Sequence, residues 1–151
     1  MKILLIEDDD IKAADIINFL EKEIDEVSEI SRKNSWQSGL LEILDNLIYD
    51  FILLDMSMPR YDAEFGVTNE EFEPFAGLEL LKEMKRKKIS KSVCVITAFD
   101  VFGKDESKIT AEELNIKLEQ EFSGNYKGMV YFSRSLINWK DDLKTIILKE
   151  Q

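Results

Sequence analysis

Short apolar runs alternate along the chain with longer segments in which apolar residues recur every three or four positions. The short runs are typical of buried strands, and the longer segments are typical of amphipathic helices. Strands are predicted over residues 2–7, 26–31, 50–55, 92–97 and 128–133. Helices are predicted over residues 11–24, 36–47, 77–88, 111–122 and 136–150, with Ser35 and Thr110 as the N-caps of the second and fourth helices.

This alternation predicts an α/β fold, because a helix between two strands forms a right-handed crossover and makes the strands parallel. The first, third and fourth strands are almost wholly apolar, as strands at the centre of a parallel sheet are. We expect a doubly wound, three-layer αβα domain of the flavodoxin-like kind, whose five-stranded parallel sheet has the order 2-1-3-4-5. A single domain over 1–151 would then carry a long loop at 57–76 and an extended segment at 99–127.

Composition narrows the possible functions. The net charge of −11 argues against binding to nucleic-acid phosphates or to anionic membrane surfaces, since both need clustered Lys and Arg. The chain begins with only a short apolar run, so neither a signal peptide nor a membrane span is predicted there, and a cytoplasmic location is expected. The single cysteine, Cys94, lies in an apolar strand and is expected to be a buried, inert thiol. No histidine is present to act as a metal ligand or a base.

Acidic residues follow two strands that the predicted order makes neighbours. The first strand ends in Glu7 with Asp8 directly after it, and the third strand ends in Asp55. Because ligands of open α/β sheets bind at the carboxyl ends of the strands, we expect these three acids to cluster there. Their mutual repulsion would be relieved by Mg²⁺ or Mn²⁺, and Asp55 could then attack a phosphoryl group. Thr97 ends the fourth strand, so its hydroxyl should face the same site.

Four motifs in order, "ILLIEDDD", "FILLDMSMP", "GLELLKEMK" and "VCVITAF", resemble the receiver domain of two-component response regulators. The resemblance implies that Asp55 is the phosphoacceptor and that Thr97 binds a phosphate oxygen. It also implies that Asp8 binds the metal directly, that Glu7 acts on it through water, and that the main-chain carbonyl of Ser57 is a further ligand. The expected function is that of a stand-alone receiver, phosphorylated by a histidine kinase or a phosphotransfer protein and signalling to an unknown downstream protein. No enzymatic activity is expected beyond self-phosphorylation and autodephosphorylation.

The stretch "VYFSRSL" departs from this family, which has a lysine after the fifth strand. Alignment on Tyr131 places Arg134 in the lysine position, whereas alignment on the strand end places Ser133 there; we favour Arg134. The missing lysine and the long connections leave open an alternative, a pseudo-receiver that binds partners without being switched by phosphate. A hydrolase of the haloacid dehalogenase kind is disfavoured. Enzymes of that family resemble one another in a second acid two residues after the nucleophile, and here that position is Ser57.

The loop at 60–76 combines aromatic and acidic residues. It leaves the third strand directly after Asp55, so we expect it to lie over or beside the acidic end of the sheet. The aromatic residues are predicted to pack the loop onto the body of the domain while the acids face solvent. These aromatic residues are Tyr61, Phe65, Phe72 and Phe75.

Overall fold

A computed structural model of the chain describes residues 1–63 and 72–150. The strands, numbered in chain order, are β1 (Lys2–Ile6), β2 (Glu29–Lys33), β3 (Phe51–Leu54), β4 (Met58–Pro59), β5 (Phe72–Glu73), β6 (Ser92–Thr97), β7 (Val101–Phe102), β8 (Ile109–Thr110) and β9 (Tyr126–Tyr131). The α-helices are α1 (Asp10–Glu23), α2 (Trp36–Asp45), α3 (Ala76–Arg86), α4 (Ala111–Glu121) and α5 (Asn138–Leu148). None of these described helices is both long and apolar enough to cross a membrane.

The central sheet has five parallel strands in the order β2-β1-β3-β6-β9, which confirms the predicted order and fold class. Alternate residues of β1 face opposite layers, as the strand period of two requires. Ile3 and Leu5 pack with α1 and α5, whereas Leu4 and Ile6 pack with α2, α3 and α4. Both faces of the sheet are therefore covered, which explains why the central strands are apolar throughout.

Some predicted boundaries were wrong by two or three residues. The second strand was predicted over 26–31, but β2 begins at Glu29 and pairs with β1 at the edge of the sheet. An edge strand is only half covered, so its sequence lacks the strong apolar pattern that would fix its ends. The last helix was predicted from residue 136, but α5 begins at Asn138, and Leu136 and Ile137 are exposed. Thr110 does cap α4, since its hydroxyl accepts a hydrogen bond from the Glu113 N–H.

Both extended segments contain small antiparallel hairpins that the sequence did not predict. Strand β4 pairs with β5 shortly after the end of β3, and β7 pairs with β8 shortly after the end of β6. Of the aromatic residues in the first segment, Phe75 packs against the core as predicted, whereas Phe72 is 53% exposed, so the prediction was wrong there. Tyr61 is also largely exposed, and Phe65 lies outside the described residues.

Candidate functional site

Three carboxylates meet at the carboxyl ends of β1 and β3. Glu7 and Asp8 follow β1, Asp55 follows β3, and each side chain has an oxygen within 4.8 Å of the others. The register explains this meeting, because the last residues of the two strands, Ile6 and Leu54, are direct partners. Glu7 and Asp55 are buried and Asp8 is half-buried. We call these three residues the acidic cluster; its members lie together as the predicted strand order requires.

Main-chain groups fix the two buried acids of the cluster. The Asp55 N–H donates to the Ile6 carbonyl at 3.1 Å, and one Asp55 carboxylate oxygen accepts from the Met56 N–H at 2.8 Å. The Glu7 N–H donates to the Lys33 carbonyl at 2.9 Å, and its Oε2 accepts from the Asp9 N–H at 3.2 Å. The carboxylates are therefore positioned by the sheet and by the turn that leads into α1.

A buried lysine that the sequence analysis did not identify completes the site. Lys12 lies on the first turn of α1, and its Nζ is 2.6 Å from Glu7 Oε1 and 3.3 Å from Asp55 Oδ2. The same Nζ donates to the carbonyl oxygen of Ile96, on β6, at 2.8 Å. Because a buried ammonium is costly unless it is paired, this lysine is held in place by groups from three neighbouring strand ends.

One signal in the sequence could have revealed Lys12. It stands four residues before Ile16 and eight before Leu20, on the apolar stripe of α1 that packs against the sheet. Residues at this spacing share one face of a helix. A charged residue on that stripe, within one turn of an acidic strand end, indicates a buried ion pair rather than a solvated side chain.

The electrostatics of the cluster follow from burial and from repulsion between the acids. Burial, followed by the charge of Asp55, raises the pKa of Glu7 to about 7, while the Lys12 ammonium opposes the rise. Burial and the charge of Glu7 raise the pKa of Asp8 to about 6. Burial also raises the pKa of Asp55, although Lys12 and the Met56 N–H stabilise its ionised form.

The donor set of the cluster fits a hard divalent cation. Three carboxylates face one ammonium, so the ionised site keeps two net negative charges. Mg²⁺ and Mn²⁺ accept carboxylate oxygens, main-chain carbonyls and water, and a divalent charge would balance this excess. Lys12 therefore neutralises only part of the negative charge, and a divalent metal would neutralise the rest.

Ser57 and Gly77 fix the loop that follows Asp55. The Ser57 hydroxyl donates to the Pro74 carbonyl at 2.9 Å, which ties this loop to the start of α3. The Gly77 N–H donates to the Met56 carbonyl at 2.9 Å. A Cβ atom at Gly77 would lie 2.8 Å from the Asp55 carbonyl oxygen, so only glycine permits this close approach.

Thr97 is buried and is the last residue of β6, which confirms the predicted end of this strand. Its hydroxyl oxygen accepts from the Phe99 N–H at 3.1 Å, and its carbonyl accepts from the Phe132 N–H at 2.8 Å. Because the hydroxyl oxygen acts as the acceptor in the first bond, its hydrogen can be donated in another direction. Thr97 is therefore suited to donate to an anionic oxygen at this edge of the sheet.

Arg134 and Ser133, the two candidates for the missing lysine, lie beyond the end of β9. Arg134 is exposed, and its Nε donates to a carboxylate oxygen of Asp15 at 3.1 Å. The Ser133 hydroxyl is 3.0 Å from that of Ser135. Both line a groove that Lys12 also lines, but neither forms a polar contact with the acidic cluster in the described structure. A role for either at a phosphoryl group stays a prediction.

Curated proteins similar to this chain include a response regulator. The Detocs response regulatory protein DtcB of Enterobacter cloacae is 30% identical over 144 residues, which cover 95% of each protein. An uncharacterised protein of Sinorhizobium fredii, y4jR, is 28% identical over 145 residues, again with 95% of each covered. No family model matches the chain.

Solved receiver structures share the fold. The receiver domain of the Francisella response regulator 1452 superposes with a TM-score of 0.62 and 21% identity, covering 99% of this chain and 95% of that one. CheY6 of R. sphaeroides, solved in complex with the P1 domain of CheA3, gives a TM-score of 0.63 at 16% identity, with 98% and 94% covered. At this identity the likeness establishes the arrangement of strands and helices.

Proposed function

Because the chain belongs to the response-regulator family of receiver proteins, we propose that it accepts a phosphoryl group on Asp55 in a Mg²⁺-dependent reaction. The observation that carries this proposal is the acidic cluster, whose three carboxylates lie within 4.8 Å of one another at the end of β1 and β3. Asp55 is buried in a site shaped by backbone contacts, with one carboxylate oxygen held by the Met56 N–H and the other facing Lys12.

In the proposed reaction, an ionised oxygen of Asp55 forms a bond to the phosphorus of a phosphodonor. The bond between phosphorus and the donor breaks, and the donor leaves with that electron pair. Asp8, Asp55 and the Ser57 carbonyl would hold the metal directly, and Glu7 would act through water. When bound, the metal would neutralise charge on the carboxylates and on the transferred group. Thr97 would donate its hydroxyl hydrogen to a phosphoryl oxygen.

The proposed donors are a histidine kinase or a phosphotransfer protein, and the output is a contact with another protein. Support comes from the relative named as a response regulatory protein and from the CheY6 structure, which was solved with a CheA3 domain. The net charge of −11 favours a protein over a nucleic acid or an anionic membrane as the direct partner. A cytoplasmic location and the absence of further enzymatic activity belong to the same proposal.

A pseudo-receiver is the second candidate, and one observation favours it. Among the described residues after β9, at 132–150, none forms an ion pair with the acidic cluster, and the exposed Arg134 pairs with Asp15. If that position is indispensable, the chain would keep the fold and lose the response to phosphate. The two candidates differ in one measurable property, the formation of a phosphoryl-Asp55 bond.

Acetyl phosphate and Mg²⁺, followed by intact-mass measurement, test the proposal. We expect wild type to gain one phosphoryl group and Asp55→Asn to gain none. Asp25→Asn makes the same chemical change at an exposed turn after α1 and should behave as wild type. Beryllofluoride, which mimics the phosphoryl group, should perturb the amide spectra of wild type and Asp25→Asn but not that of Asp55→Asn. A folded wild type that neither gains mass nor responds to beryllofluoride would favour the pseudo-receiver.

A further inference from the structure

The lysine that receivers have after the last strand is missing here, but a lysine from helix α1 lies at the acidic cluster. We propose that Lys12, on the first turn of α1, binds the oxygen of the incoming phosphoryl group in place of a lysine after β9. This inference rests on the proposed function of Asp55 as phosphoacceptor. It assigns to Lys12 the contact that the resemblance to receivers led us to expect of Arg134.

The position of the ammonium carries the inference. Lys12 Nζ lies 3.3 Å from Asp55 Oδ2, so a group attached to this carboxylate would form within reach of the same nitrogen. An ammonium has three N–H donors, and the Lys12 ammonium donates to the Ile96 carbonyl. The same nitrogen lies at ion-pair distance from the carboxylates of Glu7 and Asp55. After phosphorylation, Asp55 loses its carboxylate charge, and the ammonium can donate to a charged phosphoryl oxygen.

Two other cations near the site pair with carboxylates outside the acidic cluster. Arg32 donates its Nε to the Glu7 main-chain carbonyl and pairs with the exposed Asp10, and Arg134 pairs with Asp15. Among the ion pairs of residues 1–63 and 72–150, only those of Lys12 include a carboxylate of the acidic cluster. Lys12 is also buried, which strengthens its interaction with a neighbouring anion because little water screens it.

A purely structural role predicts a different result. If Lys12 only neutralises Glu7 and Asp55, bound metal would take over that task, and phosphoryl binding at saturating metal would not depend on Lys12. If Lys12 contacts the phosphoryl oxygen, its loss weakens binding of a phosphoryl mimic even when the metal site is full. Metal binding itself should tighten in both cases, because the competing ammonium is gone. The decisive quantity is therefore the affinity for beryllofluoride at saturating Mg²⁺.

The experiment compares wild type with Lys12→Met and with Lys22→Met, which makes the same change at an exposed position of α1. We expect the dissociation constant for beryllofluoride to rise by about tenfold or more in Lys12→Met, as the loss of one hydrogen bond to a charged group predicts. Lys22→Met should match wild type. Affinities that agree within a factor of two between Lys12→Met and wild type would overturn the inference and leave the proposed function intact. Failure of wild type to bind beryllofluoride or to be phosphorylated would instead refute the proposed function.

A second measurement does not need Lys12→Met and can be used if that variant does not fold. The side-chain nitrogens of wild type can be labelled with ¹⁵N-lysine, and the Lys12 resonance identified by its loss in Lys12→Arg. Addition of beryllofluoride to Mg²⁺-saturated wild type should shift this resonance and slow its exchange with water. An unchanged Lys12 resonance in a sample whose Asp55 amide does shift would contradict the contact.

Discussion

The Nζ of Lys12 lies 2.6 Å from Glu7 Oε1, and both side chains are almost completely buried. The pair joins the first turn of α1 to the end of β1, and Asp55 shares the ammonium from β3. Breaking a buried pair by removing one partner is costly, because the other charge stays buried. The free energy of unfolding of the metal-free protein should therefore depend strongly on Lys12.

For Lys12→Met, we expect the metal-free protein to lose on the order of 3 kcal/mol at pH 8. The loss should be smaller at pH 5, because Glu7 and Asp8, with pKa values of about 7 and about 6, can take up protons there. Urea denaturation at both pH values measures the difference, with Lys22→Met as the control. Equal losses at pH 5 and pH 8 would show that charge neutralisation is not the cause.

The pH dependence of wild type should have a definite sign. The pKa values of about 7 for Glu7 and about 6 for Asp8 lie above their ordinary values of 4.5 and 3.8. Between about pH 4 and pH 7 the folded protein then binds more protons than the unfolded chain, so its free energy of unfolding decreases as the pH rises. From pH 5 to pH 8 we expect the two groups to lower the free energy of unfolding by on the order of 4 kcal/mol.

Asp8→Asn isolates the contribution of this acid to the pH dependence. Repulsion among the other acidic residues of this chain, whose net charge is −11, also lowers the free energy of unfolding as the pH rises. Only the difference in pH dependence between the variant and wild type is therefore informative. The variant should be more stable than wild type at pH 8 and should lose less stability between pH 5 and pH 8. A slope identical to that of wild type would mean that Asp8 keeps its ordinary pKa in the folded protein.

Mg²⁺ should stabilise the protein and remove much of this dependence on pH. At a free concentration 100 times the dissociation constant, binding to the folded state alone would add about 2.7 kcal/mol to the free energy of unfolding. Asp8→Asn should abolish the metal-dependent rise in Tm, and Asp25→Asn should preserve it. If the rise persists unchanged in Asp8→Asn, this carboxylate is not a ligand of the metal.

Gly77→Ala should disturb the loop that carries the phosphoacceptor. The new Cβ would lie 2.6 Å from Leu54 Cδ1 and 2.8 Å from the Asp55 carbonyl oxygen, so α3 or the loop must move. We expect a loss of about 1–3 kcal/mol in stability together with weaker binding of beryllofluoride. Gly124→Ala is the matched control, because its Cβ would have nothing within 4 Å. Wild-type stability in Gly77→Ala would show that this close approach can be relieved without cost.

The sequence predicted the sheet order and the meeting of the acids for the same physical reason. Strand ends are fixed by apolar runs bounded by charge, and parallel order then determines that Glu7 and Asp55 are neighbours. The hairpins were missed because strands such as Met58–Pro59 are too short to show a period. Lys12 was missed because helical charges are ordinarily solvated, and its burial depends on acids from other elements.

Placing the ammonium on a helix changes where a signal from Asp55 would emerge. A 14-residue helix is roughly 20 Å long and moves largely as one body. If Lys12 follows a phosphoryl oxygen, its movement is passed along α1 to Phe19, whose ring packs edge-on against Trp139 of α5 at 5.3 Å between centroids. The indole of Trp139, which is buried in this contact, would then be an intrinsic optical reporter of phosphorylation.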